Sequence, residues 1–311
     1  MEKSKSSNLS KGDIISVIAI LILGIAVFFG MNFKTLGDKV PSLVVAILLV
    51  VLMTIFVFLA AHAKAQNRNQ DMWKTVEYTM LGLYIVALVP CYIFAAKFFD
   101  IQFSKQTITA TAQDEIDSIN KLFTEYNKKC DSRGGSYQTA LEAMAQDAQG
   151  RARIARLLDI DVKSINSAII NQAGESFRKS LKGTDYNILK TEKESLETRI
   201  STNFKNWNIL FIPQDVAELD GAKIKYAKKL QENYSKKKNE LEQTVPQFDI
   251  SEYETESNIA SMFTQTSSFS VVGIISVIVL GLLGLVKYIL GEKRTVIPLS
   301  KRDDIIMDIK L

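Results

Sequence analysis

Apolar residues are concentrated in four blocks of the chain, with polar and charged residues between them. The blocks span residues 14–33, 42–61, 76–96 and 269–290, and they are nearly free of charged side chains. A helix rises about 1.5 Å per residue, so about twenty residues are needed to cross the hydrocarbon core of a bilayer. The pattern therefore predicts four transmembrane helices.

The segment between the third and fourth blocks, residues 98–268, has a helical periodicity with polar faces. Such a period places apolar side chains on one side of each helix, and that side needs an apolar partner surface. The stripes, spaced by three and four positions, are Ile116, Ile119, Phe123, Tyr126 and Cys130, then Tyr137, Leu141, Met144 and Ala148, then Leu196, Ile200, Phe204 and Trp207. No alternating strand pattern of useful length occurs, so an α-helical bundle is predicted.

Glycine and proline predict breaks between the helices of this bundle. The predicted turns lie at Gly134-Gly135, Gly183, Pro213 and Pro246. Residues 215–244 are predicted as the longest soluble helix, an outer helix of the bundle with an intermolecular coiled coil as the alternative.

Two further stretches of the same segment have alternative interpretations. The run WNILFIP, residues 207–213, is either a short strand or a buried connector. Asp249 and Glu252 have the spacing of a capping box, so a last helix is expected after them. That helix either runs continuously into the fourth block or ends in a flexible Ser/Thr-rich joint at residues 264–268.

The predicted fold is therefore all-α, with four transmembrane helices and a periplasmic helical bundle between the third and fourth spans. Its parts are residues 1–97 with three spans, 98–268 as the bundle, 269–290 as the fourth span and 291–311 as a tail. Residues 239–286 contain no Lys or Arg, whereas Lys287, Lys293 and Arg294 follow at once. Because basic residues favour the cytoplasmic side, the N- and C-termini are expected in the cytoplasm and the bundle in the periplasm.

Composition and motifs argue against nucleic-acid binding, metal binding and catalysis. The formal net charge is only +4 and residues 98–268 are nearly neutral, so no nucleic-acid surface is expected. His62, the one histidine, is predicted to be an interfacial polar residue, and Cys91 and Cys130 have no metal-ligand spacing around them. Glycine-rich phosphate loops and HExxH are absent from the sequence, so no enzyme, cofactor or metal is predicted. Acidic runs such as 252–256 are typical of solvated faces, with an acid/base pair as the open alternative.

The spans themselves have few polar residues near their centres. These are Thr54, Tyr84, Cys91 and Ser276. Because pumps and coupled transporters need an ionisable residue at mid-membrane, transport through this subunit alone is not expected. Small residues permit close helix packing, within the chain or between subunits, at Ala26, Gly30, Gly273, Gly281 and Gly284.

The tail GEKRTVIPLSKRDDIIMDIKL is too short for an output domain but rich in apolar residues. Lys293 and Arg294 suit an anionic inner leaflet, and Pro298 disfavours helix in the stretch TVIPL. Docking to a cytoplasmic partner is predicted, with folding back on the chain's own cytoplasmic loop as the alternative. The candidate docking residues are Val296, Ile297, Leu299, Ile305, Ile306, Ile309 and Leu311.

The hydropathy profile over residues 14–290 resembles that of the TssN-type inner-membrane components of the type VI secretion systems of Bacteroidota. The resemblance implies a structural subunit of an envelope-spanning complex that anchors a contractile injection apparatus. The expected function is therefore a non-enzymatic inner-membrane scaffold, in contact with the lipid bilayer, with further copies of itself and with other envelope subunits. The alternatives are a ligand-sensing receptor that signals through a separate cytoplasmic partner, and a membrane-embedded enzyme or pore-forming protein.

Overall fold

The computed structural model describes residues 10–66, 70–236, 238–242, 244–255, 258–265 and 270–291, and these residues form helices and no strands. The all-α prediction is confirmed for this part of the chain. The helices are α1 (Lys11–Lys34), α2 (Lys39–Ala65), α3 (Gln70–Phe103), α4 (Lys105–Met144), α5 (Ala148–Leu158), α6 (Ser167–Lys205), α7 (Ile212–Lys236), α8 (Ile259–Thr264), α9 (Val271–Gly284) and α10 (Val286–Leu290), with 3₁₀ turns at Val162–Ser164 and Ser251–Tyr253.

The chain divides into two compact units. Residues 106–262 form the second unit, and the residues before and after them form the first. The predicted boundaries at 98 and 268 both fall inside the first unit. The first unit extends beyond residue 98 because α3 continues as one helix to Phe103.

The first unit contains four helices that are long and apolar enough to cross a membrane. They span Lys11–Lys34, Lys39–Ala65, Asp71–Phe103 and Val271–Leu290, the last of them made of α9 and α10. The first three contain the predicted blocks 14–33, 42–61 and 76–96 in full, and the fourth contains its block from Val271 onwards. We therefore call this part the membrane unit.

Small residues bring the helices of the membrane unit close together, as their positions predict. A Cβ at Gly30 of α1 would lie 1.8 Å from the carbonyl oxygen of Phe94 in α3. A Cβ at Gly273 of α9 would lie 2.8 Å from Cα of Ala96, also in α3. Only glycine permits these approaches, so the predicted small-residue faces pack within the chain.

In the second unit, α4, α6 and α7 form a three-helix bundle. Side-chain contacts fix their directions: Asn120 of α4 pairs with Glu197 of α6, and Gln138 of α4 pairs with Asn171 of α6, so α4 and α6 are antiparallel. Tyr126 of α4 contacts Asn233 of α7, and Glu115 of α4 pairs with Lys223 of α7, so α4 and α7 are parallel. The core includes the predicted stripe on α4, since all five of its residues are buried.

The predicted turn at Gly134-Gly135 is wrong, because α4 runs through both residues without a break. Gly134 instead lets α6 pass close by. A Cβ at Gly134 would lie 2.0 Å from Cγ of Arg178, whereas a Cβ at Gly135 would meet nothing within 4 Å. The predicted break at Gly183 is confirmed, since its φ of 48° and ψ of −170° kink α6.

The predicted long helix at residues 215–244 is also different in the structure. It starts earlier, at Ile212, because proline is tolerated in the first turn of a helix, where backbone amides have no partner within the helix. It ends at Lys236. The longest helix of this unit is α4, with 40 residues. Leu241 lies beyond the end of α7 and packs against a second apolar cluster that includes Leu141 and Ile154.

Of the two alternatives for the helix expected after Asp249, a continuous helix into the fourth span is not formed, because the described residues there contain only short helical pieces. The Asp249 carboxylate accepts a hydrogen bond from the Ser251 amide, but only a 3₁₀ turn follows, and α8 has six residues. Phe248, Ile250 and Tyr253 are all buried, and the exposed Asp249 lies between the first two, so this stretch packs as irregular chain and not as one face of a helix.

Residues 207–211 connect α6 to α7 through turns, so WNILFIP is a connector and not a strand. The prediction that it is buried holds only for Ile212 and Pro213, because Leu210 and Phe211 are exposed.

The two glycines in α4 provide a matched test of its packing. Gly134→Ala is expected to destabilise the second unit by about 1–3 kcal/mol, because Arg178 and α6 must move. Gly135→Ala is the control and is expected to stabilise the unit by up to about 1 kcal/mol through helix propensity. Urea unfolding followed by Trp207 fluorescence in a Trp73→Phe background measures both; equal effects of the two substitutions would contradict the packing.

Candidate functional site

Among the described residues of the membrane unit, several polar side chains interact at the end that precedes the predicted docking tail. We call this the tail end, and its interacting groups form the tail-end network: Ser10, Asp13, Ser16, Lys64, Glu77, Lys287 and Tyr288. The network begins with a capping box at the start of α1. The Ser10 hydroxyl accepts from the Asp13 amide at 3.2 Å, and the Asp13 carboxylate accepts from the Ser10 amide at 2.9 Å.

Asp13 also forms the ion pair that joins the first helix to the last. Its Oδ1 lies 2.6 Å from Nζ of Lys287, and the two side chains are 16% and 22% exposed. The Lys287 ammonium lies 3.4 Å from the ring centroid of Phe58 in α2. The amide of Lys287 donates to the Ser16 hydroxyl at 2.7 Å. One residue of α10 therefore contacts both α1 and α2.

Tyr288 connects the same short helix to α3. Its hydroxyl donates to Oε1 of Glu77 at 2.7 Å, which satisfies a carboxylate that is only 9% exposed. Lys64 of α2 donates to the Tyr288 carbonyl at 2.7 Å, and its ammonium lies 4.6 Å from the Tyr288 ring centroid. A cation is favourable there because the last carbonyls of a helix have no partner in their own helix. Residues 287–288 thus connect the root of the tail to three other helices.

His62 lies near this network, at the tail end of α2. Its ring packs edge-on against Trp73, with centroids 5.7 Å apart, and its Nε2 lies 3.0 Å from Nε2 of Gln66. These contacts are typical of an interfacial polar residue. Within the described residues, no group of three or more His, Cys, Asp or Glu side chains has the arrangement of a metal site.

The mid-span polar residues take part in helix packing. The Tyr84 hydroxyl of α3 donates to the carbonyl of Gly281 in α9 at 2.8 Å. Cys91 of α3 contacts the Met53 sulfur of α2 at 3.5 Å. Thr54 bonds to the Val50 carbonyl of its own helix. The contacts of Tyr84 and Cys91 thus tie helices together away from the tail end.

The seven candidate docking residues of the tail lie in residues 292–311, outside the residues that the structure describes. Their role stays a prediction. The tail-end network is the part of this site that sequence reasoning missed. Signals for it exist: Ser10 and Asp13 have capping-box spacing, and Glu77 and Lys287 are ionisable residues near the ends of apolar blocks.

In the second unit, the kink at Gly183 is stabilised by a buried polar cluster. The break frees the carbonyl of Leu181, which accepts from the Tyr126 hydroxyl at 2.9 Å and from Nδ2 of Asn233 at 3.1 Å. Burial raises the pKa of Tyr126, so the phenol keeps its proton and remains a donor. Burial also raises the pKa of the adjacent Cys130 thiol to about 11, which makes it a poor nucleophile at neutral pH.

A second buried cluster holds the segment that follows α7. Nε and Nη2 of Arg133 each donate to a carboxylate oxygen of Glu242 at 2.6 Å, and Nη1 donates to the Tyr234 carbonyl at 2.7 Å. The side chains of Arg133 and Glu242 are 4% and 15% exposed. Burial alone would raise the pKa of Glu242, but hydrogen bonds from Arg133 hold it below its usual range. The pair thus fixes Leu241 and its neighbours onto α4.

A third polar cluster lies where α6 meets α7. The buried Asp215 carboxylate accepts from Nε of Arg199 at 3.0 Å and from Nδ2 of Asn203 at 2.6 Å. Burial raises the pKa of Asp215 in spite of these donors. The carboxylate is already occupied by two donors of α6, so this cluster fastens the helix pair.

No protein-family model, no curated protein and no solved structure matches the chain.

The Arg133–Glu242 pair generates a prediction with a definite pH dependence. The pKa of Glu242 is lowered in the folded state, so the pair stabilises the unit above the unfolded pKa of about 4.5 and loses its effect as pH falls through the folded value. Glu242→Gln is expected to cost about 3 kcal/mol at pH 7, because it leaves a buried guanidinium without its counter-ion. The difference from the wild type is expected to shrink in acid.

Urea unfolding in the Trp73→Phe background, at pH 7 and at about pH 3, measures this difference. Glu240→Gln is the control, because Glu240 is exposed two positions away. A loss for Glu242→Gln that is the same at both pH values would show that the pair does not act through charge.

Proposed function

We propose that this chain is a non-enzymatic scaffold subunit of the inner membrane, part of a multi-protein complex that spans the cell envelope. In this proposal the four apolar helices of the membrane unit cross the bilayer with both termini in the cytoplasm. Residues 106–262 form a periplasmic bundle inserted between the third and fourth spans. The complex is a type VI-like secretion apparatus, for which the resemblance of the hydropathy profile is the support.

The tail-end network is the observation that carries the scaffold proposal. Lys287 and Tyr288 connect α10 to α1, α2 and α3 by an ion pair and by hydrogen bonds from side chains that are mostly withdrawn from water. A subunit that joins partners on two sides of a membrane must pass force between its spans. A polar root shared by all four spans supports that role, because force applied to the tail is distributed over several helices.

The distribution of basic residues supports the proposed orientation. Lys11, Lys64, Lys74 and Lys287 lie at the tail end, whereas Lys34 and Lys39 lie at the opposite end of the first two spans. The further basic residues of the flanking sequence, Arg68, Lys293 and Arg294, favour a cytoplasmic tail end by the positive-inside rule. The tail then meets a cytoplasmic partner through its apolar residues. Further copies of the chain and other envelope subunits are proposed to contact the remaining surfaces.

The orientation is tested by cysteine labelling with a membrane-impermeant maleimide. The native residues Cys91 and Cys130 are buried, and they are replaced by alanine so that each variant has one thiol. Ser195→Cys, at an exposed position on α6, is expected to react from the periplasmic side. Thr75→Cys, exposed at the start of α3, is the control and is expected to react only after the inner membrane is permeabilised. The opposite pattern would overturn the orientation.

The scaffold role is tested by gentle purification of the tagged protein from its native cells. The expected result is a discrete set of envelope proteins, in stable ratios, together with at least one cytoplasmic protein. A truncation lacking residues 295–311 is expected to keep the envelope proteins and lose the cytoplasmic one, because the contacts removed are those of the tail. The receptor alternative instead expects a partner whose association changes with an added ligand, and full recovery of the cytoplasmic protein by the truncation would contradict docking through the tail.

A further inference from the structure

A cavity of about 570 Å³ lies in the second unit, where the end of α4, the helix α5 and the segment after α7 meet. We call it the arginine cavity, because Arg153 and Arg156 of α5 line it together with Met144, Leu157 and Glu240. Cavities that bind small ligands in proteins have volumes of about 300–1,000 Å³. The polar clusters described above do not line this cavity, and the scaffold role does not explain it.

The sequence of α5 places the two arginines on its outer face. Ile154 and Ala155 are buried in an apolar cluster with Leu141 of α4. Arg153 and Arg156, three positions apart, are exposed and are neighbours on the helix surface. Burial of the apolar face therefore leaves both arginines on the side of α5 that lines the cavity.

These two arginines differ from the others that the structure describes, because they have no protein partner. Neither guanidinium forms a hydrogen bond or an ion pair with the described residues. Each of the other described arginines donates to an acceptor: Arg133 to Glu242, Arg151 to the Ile165 carbonyl, Arg178 to Glu175 and Arg199 to Asp215. A guanidinium offers two parallel N–H donors that match the two oxygens of a carboxylate. Arg153 and Arg156 can therefore hold the carboxylate of a ligand.

Glu240 forms another part of the wall, and its neighbours in the sequence hold it there. The Glu242 carboxylate pairs with Arg133, and Leu241 packs against the apolar cluster to which α5 contributes. The Leu241 amide donates to Oδ1 of Asn239 at 2.9 Å, so the chain on both sides of Glu240 is fixed. The Glu240 carboxylate is exposed and forms no hydrogen bond or ion pair with the described residues. It is therefore available to an ammonium group in the cavity.

The charges of the lining select the kind of ligand. Asp147 also lines the cavity, but its carboxylate already accepts from the Gly150 amide at 2.6 Å as the N-cap of α5. With Arg153, Arg156 and Glu240, the lining has two positive and two negative groups, so its formal charge is zero. A zwitterion satisfies both signs, whereas a phosphate dianion meets repulsion from the carboxylates.

We propose that the arginine cavity binds a short peptide with free termini. The peptide carboxylate lies at Arg153 and Arg156, its ammonium group lies at Glu240, and an apolar side chain lies on the partly buried Met144 and Leu157. The second unit is then a peptide-binding module as well as part of a scaffold. The proposal rests on contacts within the second unit alone, so it depends neither on the orientation in the membrane nor on the secretion role.

The test measures the heat of binding of three dipeptides to the full chain in detergent micelles: alanyl-leucine, leucyl-alanine and leucyl-leucine. At least one of them is expected to bind. Its C-amidated and N-acetylated derivatives are each expected to bind at least about tenfold more weakly, because each has lost a charged group that pairs with the cavity.

Substitutions at exposed positions assign the two ends of the peptide. Arg153→Gln and Arg156→Gln are each expected to remove most of the preference for the free carboxylate over the amide, while the preference for the free ammonium group remains. Glu240→Gln is expected to have the converse effect. Lys163→Gln is the matched control: Lys163 is exposed in the turn after α5, outside the cavity, and its replacement removes the same charge. Both preferences are expected to persist in this control.

The proposal fails if none of the three dipeptides binds. It also fails if the arginine variants lose no more affinity than Lys163→Gln, which would show that binding depends on net charge and not on the cavity. Displacement of the dipeptide by an equal concentration of inorganic phosphate would identify a general anion site, and it would exclude the peptide.

Discussion

The ion pair between Asp13 and Lys287 closes the membrane unit, because it joins the first helix of the unit to the last. Within a bilayer there is no hydrophobic force that drives one apolar helix against another, so packing and polar contacts must select the arrangement. Such contacts matter most for the position of the fourth span, because the second unit separates it from the third span in sequence. Its position depends on Gly273 at one end, Tyr84 near the middle and Lys287 at the tail end.

In the second unit the hydrophobic effect does drive helix packing, because the apolar stripes of its helices are buried away from water. A long helix such as α4 buries one face against α6 and α7, and burial of that face provides the stability. The polar groups inside must then find partners. The freed carbonyl at Leu181 does so through Tyr126 and Asn233, and the guanidinium of Arg133 does so through Glu242. These contacts fix which helix positions face one another, while the apolar stripes alone would permit sliding by a turn.

Periodicity was sufficient to predict the four spans and the main helical stripe, because both are local consequences of burial. The role of Gly134 was not predictable in this way, since it depends on Arg178 in a helix that is adjacent only in space. The end of α7 depends on Arg133 in the same sense, because that residue holds Glu242 outside the helix. For the candidate site, the ionisable residues at the span ends were visible in the sequence. Their pairing was not, because Asp13 and Lys287 lie at opposite ends of the chain.

The separation between α9 and α10 explains why the tail-end network matters mechanically. α9 ends at Gly284 and α10 begins at Val286, so the last five residues of the fourth span form a separate short helix. A five-residue helix has too few internal hydrogen bonds to persist alone. Its side chains and terminal carbonyls are instead held by Asp13, Lys64 and Glu77 from three other helices. In the proposed scaffold, force on the tail therefore meets several contacts acting in parallel, and the short helix moves only when contacts to all three helices yield.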